Sequence, residues 1–248
     1  MPIIKTETKL IYYAHTPKCA GTSVANYIRD RFGKPAFWNG KYMSIPPGER
    51  WSNTSPQHID VMSLGLLFPP NFFDASFAVV RHPVARLVSV YHFQLEIEKT
   101  IPTGQSFAFW LENIFEHPTF AYDHHLRPMS ELIPEGSKLF YLEDGLEGII
   151  PWLDTVTGIK KGARQLPHVN KRTDRNHSKR HKITPSDAEK ELITRYYKVD
   201  FERFGYALDQ ETAPSTPKNS EAGKPGAMSR LMQSGCRAVE ECKRIIYK

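Results

Sequence analysis

Residues 10–32 constrain this chain more than any other stretch. Leu10-Ile11-Tyr12-Tyr13-Ala14 is an apolar run of strand length, His15 to Ser23 is a loop of small and polar residues, and a helix pattern follows. A strand that feeds such a loop and then a helix start aims free backbone amides at one spot, where the helix dipole also favours negative charge. Lys18 adds a cation to the same loop. The local chemistry is that of an anion site, and a phosphate group is the first ligand to consider. The alternative is a plain strand–helix turn in which Thr22 and Ser23 do no more than cap the helix.

The position of Lys18 narrows the choice. A Walker A loop has Lys directly after its last Gly. Here Lys18 precedes Gly21, and Thr22-Ser23 follow it. A phosphatase cradle would need an Arg a few residues beyond Cys19, where Ser23, Val24 and Ala25 stand instead.

Residues 76–98 repeat the strand–turn–helix form. Ser76-Phe77-Ala78-Val79-Val80 is nearly continuous in apolar character, as in a buried parallel strand. Arg81-His82-Pro83 ends it, with Pro83 suited to a first helical turn. Val84, Leu87, Val88, Tyr91 and Leu95 then recur at helical spacing and predict a core stripe, with Arg86, Ser89 and Glu96 on other faces. Arg81 and Ser89 can both reach the crevice at the carboxyl ends of the strands, where open α/β sheets bind ligands. An Arg fork with a hydroxyl makes a good second phosphate site. The two units predict an α/β fold, P-loop-like, with three α/β/α layers around a central, mainly parallel sheet.

Thr16-Pro17-Lys18-Cys19-Ala20-Gly21-Thr22-Ser23 resembles the 5′-phosphosulfate loop of sulfotransferases, in particular the branch that modifies carbohydrates. Val80-Arg81-His82-Pro83-Val84-Ala85-Arg86-Leu87-Val88-Ser89-Val90-Tyr91 resembles the same family's 3′-phosphate motif, in which an Arg and a Ser eight positions apart hold the 3′-phosphate. The resemblance implies a donor, 3′-phosphoadenosine-5′-phosphosulfate, and an acceptor hydroxyl, favoured to be that of a carbohydrate. It implies donor contacts from Pro17, Lys18, Cys19, Ala20, Gly21, Thr22, Ser23, Arg81 and Ser89. Lys18 would act in catalysis, and His58, between the motifs, sits where this branch often carries its general base. Glu49 and His125 are the next candidates for that base. Further family landmarks are His124 to Ser130, Leu142-Glu143-Asp144, Leu166 to Lys171 and Asp200 to Tyr206, so the resemblance covers residues 8–207. Cys19 departs from the Thr or Ser common in the family, a small matter if the loop binds through amides.

Composition agrees with an enzyme of one α/β domain, residues 1–208, within a chain of 248. No apolar run is long enough for a transmembrane helix and no signal-peptide core is visible, which predicts a cytoplasmic protein without stable membrane insertion. Three cysteines make no disulfide framework. The net charge of +6 is concentrated in residues 160–182, which hold nine Lys or Arg against Asp174 alone. That run reads as a solvated loop, a nucleic-acid patch, or a basic flap over the donor's phosphates or an anionic acceptor; the flap is preferred, and no nucleic-acid partner is expected.

Elsewhere, residues 33–56 read as an irregular, substrate-side region, 57–68 as a short helix with His58 near its start, and 105–116 as a helix with a core-facing aromatic stripe. Lys138 to Leu142 reads as a strand, and Thr184-Pro185-Ser186-Asp187 opens a helix to about Tyr197. Residues 209–226 read as a linker and 227–248 as an amphipathic helix, able to dock on its own protein, to make a homodimer, or to touch a membrane surface. His117, His124 and His125 lie near Asp123, but their spacing is not that of a metal site, and none is expected. Two rival functions stay open: an ATP-dependent kinase or nucleotide-binding protein, and a non-catalytic module that binds anionic glycans through the basic run.

Overall fold

The computed structural model describes residues 1–114, 117, 120–167 and 183–208. Most of the basic run, the linker and the C-terminal amphipathic segment, with the dimer contact expected of it, lie outside the described residues. A four-stranded sheet has the order β1-β2-β3-β4, formed by Ile3–Lys5, Leu10–Ala14, Ala75–Val80 and Lys138–Tyr141. β1 is antiparallel to β2, whereas β2, β3 and β4 run parallel. Ala14 pairs with Ala78 and Val80 with Tyr141, so these three strands end at the same edge.

Helices flank the sheet: α1 (Gly21–Phe32), α2 (Val61–Leu67), α3 (Pro83–Phe93), α4 (Phe107–Glu112), a single turn α5 (Ala121–His124), α6 (Ile149–Thr157), α7 (Asp187–Tyr196) and α8 (Lys198–Phe204). The central strands are buried on both faces: Ile11, Tyr13, Phe77, Ala78, Val79 and Val80 are sealed from solvent, with Val24, Tyr27 and Ile28 of α1 and Leu87 and Val90 of α3 in the same core. Each such aliphatic or aromatic side chain contributes about 1.5–3 kcal/mol by leaving water.

The α/β units appear as the sequence predicts, with Pro83 at the first position of α3 and a reciprocal Ser186–Glu189 capping box on α7. The predicted aromatic stripe holds at Phe107 and Trp110, which are buried, but Phe109 faces solvent. α4 is shorter than predicted, starting after its Ser106 cap and ending at Glu112.

Three expectations need correction. His58 is not inside a helix; it ends a 3-10 turn, Pro56–His58, and α2 starts after the Asp60 cap. The regular helix after β3 stops at Phe93 and continues as a π turn, Gln94–Glu98. Arg86, placed off the core stripe by its spacing, is buried all the same, being only 1 % exposed. Its Nε donates to the carbonyl of Pro17 (3.1 Å) and its Nη2 to those of His125 (3.0 Å) and Arg127 (2.8 Å). Periodicity misses this because three carbonyls, not water, solvate the guanidinium.

Two family landmarks prove to be struts. Asp200 accepts from the amides of Met129 and Ser130, both at 2.8 Å. Glu143 accepts from the amide of His82 (2.7 Å) and the hydroxyl of Tyr206 (3.1 Å).

Arg86→Met should lower stability by roughly 3 kcal/mol, since it removes the guanidinium that donates to the buried carbonyls of Pro17, His125 and Arg127. Urea denaturation measures this as a lower midpoint at unchanged slope; an unchanged midpoint would show that Arg86 holds nothing together.

Candidate functional site

The site is built at the carboxyl edge of β2 and β3. β2 ends at Ala14, and the loop from His15 to Ala20 turns straight into α1. Lys18 and Ala20 adopt left-handed backbone, with φ of 65° and 59°. For residues with a Cβ that conformation costs on the order of 1–2 kcal/mol each, and such strain gathers where a site needs it. No side chain caps α1 and no acidic residue stands in its first turn, so Thr22 and Ser23 do not act as the caps of a plain turn. The helix thus begins directly after Ala20, with the backbone amides of Gly21, Thr22 and Ser23 in its first turn and no side-chain cap from the N-cap residue. Cys19 is sealed in the core, its Sγ 3.8 Å from Met129 Sδ, and burial pushes its thiol up. Only its backbone belongs to the loop surface.

The two predicted motifs meet here. Arg81 Nη1 donates to the Lys18 carbonyl at 3.3 Å, and Thr16 Oγ1 donates to the carbonyl of Val79. Ser89 is half-buried, almost two turns into α3. Lys18 Nζ lies over the Phe93 ring, 3.8 Å from its centroid.

His58 reaches the same place from the 3-10 turn. Its Nδ1 lies 2.8 Å from Asp123 Oδ2 and donates to it. That leaves Nε2 as the lone-pair nitrogen, buried and without a hydrogen-bond partner. Asp123 is fixed by Ser55, whose amide and hydroxyl donate to its two oxygens at 2.5 and 2.6 Å. Burial pushes the Asp123 carboxyl up, but the His58 ring and the Ser55 bonds outweigh it and hold the group well below the usual carboxylate range. A hydrogen-bonded Asp–His pair of this kind sets the imidazole's tautomer and orientation for proton abstraction.

The segment that carries Asp123 is strained. Tyr122, Asp123 and His124 have φ of 49°, 57° and 62° in succession. Neighbours hold it: His124 Nδ1 donates to the His58 carbonyl (2.6 Å), and Arg127 Nη1 donates to His124 Nε2 (3.2 Å).

His15 links the two halves. Its ring stacks on His58, with centroids 4.8 Å apart and planes at 13°, and meets Trp38 of the irregular region edge-on at 5.2 Å. Burial, then His58, lowers its proton affinity well below the usual imidazole range. Gly21 makes room for it, because a Cβ there would fall 1.7 Å from His15 Nε2. His125 packs against His58 from another side, centroids 5.4 Å apart.

Ligand atoms of His58, Asp123 and His125 lie within 4.8 Å of one another, close enough to hold a divalent cation. As they stand, the pair His58–Asp123 is bonded to itself. Glu49, the alternative base, ends an exposed 3-10 turn. Of the basic run, Arg164 is engaged with Asp154 at 2.7 Å.

Sequence reasoning singled out His58 but passed over its partner. Asp123 drew notice only as a neighbour of histidines, because nothing in its spacing ties it to a residue sixty-five positions earlier. The signal available was the density of chemistry in Asp123-His124-His125.

The profile of the sulfotransferase family matches residues 1–207 of the chain. Neither a curated protein nor a solved structure gives a significant match. No helix among the described residues is long and apolar enough to cross a membrane.

Because the Asp123 carboxyl is depressed in the folded state, its contribution is complete above the unfolded carboxylate value of about 4 and fades as pH falls below it. Asp123→Asn should therefore be less stable than wild type by on the order of 2 kcal/mol at pH 7, with the gap narrowing as pH falls from about 4 towards 2. Denaturant titrations across that range measure it; a constant gap would mean that the carboxylate's charge is not what the site stabilises.

Proposed function

The chain belongs to the sulfotransferase family, and from that premise we propose that it moves the sulfuryl group of 3′-phosphoadenosine-5′-phosphosulfate to an acceptor hydroxyl, that of a carbohydrate. One observation carries the reading. The loop suited to a phosphosulfate and the imidazole suited to a proton are in contact, through His15 stacked on His58. Anion binding and proton abstraction are thus available side by side, as this transfer requires.

The residues take the following roles. The backbone amides of Gly21, Thr22 and Ser23, at the uncapped start of α1, hold the 5′-phosphosulfate, with Pro17, Cys19 and Ala20 shaping the loop. Arg81 and Ser89 hold the 3′-phosphate. Arg81 is already oriented by its bond to the Lys18 carbonyl. His58 Nε2 takes the proton of the acceptor hydroxyl while Asp123 keeps Nδ1 protonated and steadies the imidazolium that forms. The acceptor oxygen forms its bond to sulfur as the bond from sulfur to the bridging oxygen breaks, in line. Lys18 leaves its perch on Phe93 to neutralise the charge that gathers on that oxygen. The products are a sulfate ester and adenosine 3′,5′-bisphosphate.

The acceptor would approach from the irregular region, where Trp38 lies against His15 and Trp51 is 65 % exposed. Aromatic faces of this sort suit the apolar side of a sugar ring.

Three variants separate the roles. Arg81→Ala should weaken binding of adenosine 3′,5′-bisphosphate by ten-fold or more, about 1.4 kcal/mol, in calorimetry. Lys18→Ala should keep most of that affinity and lose on the order of 10²-fold in turnover. His58→Ala should bind the bisphosphate as wild type does and lose the chemical step by on the order of 10²–10⁴-fold. Unchanged affinity in Arg81→Ala would remove the clamp, and wild-type turnover in His58→Ala would move the base elsewhere. Stabilisation by ATP with Mg²⁺ or by heparin, without a response to the bisphosphate, would favour the kinase or the glycan-binding reading.

A further inference from the structure

His125 faces the same space as His58, yet its hydrogen bonds give it a different chemistry. Its Nδ1 lies 3.2 Å from the side-chain nitrogen of Gln94. The amide of Gln94 is oriented by its other end, since Thr100 Oγ1 donates to Gln94 Oε1 at 2.8 Å. The amide nitrogen therefore points at the imidazole and donates to it. A ring nitrogen that accepts carries no proton, so in neutral His125 the proton sits on Nε2. Asp123 imposes the opposite tautomer on His58, with the proton on Nδ1 and the lone pair on Nε2. Two imidazoles in contact thus present one acceptor and one donor.

The device that sets this tautomer is built into the backbone. Gln94, only 2 % exposed, opens the π turn Gln94–Glu98. The wider turn gives the Gln94 carbonyl to the amide of Thr100 (3.0 Å). Side chain and main chain of Thr100 thus grip the same residue. Isolated π turns within helices recur at functional sites.

We propose that His125 is a second catalytic residue, whose neutral Nε2–H donates a hydrogen bond to an oxygen of the sulfuryl group in transit, and that Gln94 is the positioning residue that fixes its tautomer. The proposal rests on the sulfuryl-transfer reading. The geometry favours this target because His125 lies against His58 on one side and against Phe93, beneath Lys18, on the other, at ring distances of 5.4 and 5.3 Å. The transferred group must pass between the oxygen that His58 deprotonates and the oxygen that Lys18 neutralises.

Neutrality matters to the role. Burial first, then His58 and Lys18, depress the proton affinity of His125 well below the usual imidazole range, with Arg86 acting the same way and Asp123 opposing. A cationic donor there would repel the proton that His58 must accept. A neutral one stabilises charge on the sulfuryl oxygens without that penalty.

The test combines a spectroscopic and a kinetic measurement on the full chain. Long-range ¹⁵N–¹H correlation of histidine-labelled protein should show His125 protonated at Nε2 and bare at Nδ1 from pH 6 to 8. Gln94→Glu, nearly isosteric, replaces the donor with an acceptor and should reverse that pattern. With labelled donor, Gln94→Glu and His125→Ala should each lose on the order of 10²-fold in turnover while bisphosphate affinity stays within a few-fold. His125→Asn, which retains an N–H, should recover part of the loss.

A wild-type His125 protonated at Nδ1 would overturn the proposal. So would full turnover in His125→Ala or Gln94→Glu of an otherwise active enzyme. A wild type that binds no bisphosphate and transfers no label would instead overturn the underlying reading, with the tautomer still on record.

Discussion

Three backbone carbonyls from two distant loops converge on the buried guanidinium of Arg86, and the geometry of the site depends on that convergence. Pro17 belongs to the loop before α1, while His125 and Arg127 belong to the segment after α5. Neither segment is regular secondary structure, so neither has a ladder to fix it. Arg86 supplies the fixed point, from a helix that packs on the central strands. The same segment is gripped from behind by Asp200, which accepts the amides of Met129 and Ser130, and by Tyr197, whose hydroxyl donates to the Leu126 carbonyl at 2.7 Å. Helix α8 and the junction between α7 and α8 thus support the site from behind.

What the scaffold holds in place is strained. Lys18 and Ala20 in one loop, and Tyr122 to His124 in the other, occupy left-handed backbone without being glycine. Such conformations persist only where surrounding bonds over-determine them, and here those bonds are visible. The gain is chemical. One loop turns its amides outward at a helix start, and the other turns a carboxylate onto the His58 imidazole.

Much of this was legible in the chain because it rests on short-range pattern. The parallel strands announce themselves as apolar runs, α1 and α3 by their periodicity, and the two loops by Pro17-Lys18 and Arg81-His82-Pro83 at strand ends. Adjacent parallel strands bring Arg81 to the Lys18 loop, where its Nη1 donates to the Lys18 carbonyl. The illegible part is everything that works across sequence. Arg86 looks like a surface residue, since an arginine solvated by carbonyls leaves no trace in a hydropathy pattern. Asp123 looks like a loop carboxylate, because a left-handed turn has no period. Gln94 looks like one more helical residue, because a π turn differs from an α turn by a single added residue. Side chains of this kind set tautomers and orientations, and only the folded chain displays them.

The central claim is that one crevice holds a nucleotide by both of its ribose phosphates and presents a base beyond it. A crystal structure of the full chain soaked with adenosine 3′,5′-bisphosphate tests this most directly. The account predicts the 5′-phosphate against the amides of Gly21, Thr22 and Ser23, the 3′-phosphate on Arg81 and Ser89, and His58 Nε2 open to the space beyond the 5′-phosphate. A bisphosphate bound elsewhere, or with its 3′-phosphate away from Arg81, would contradict it.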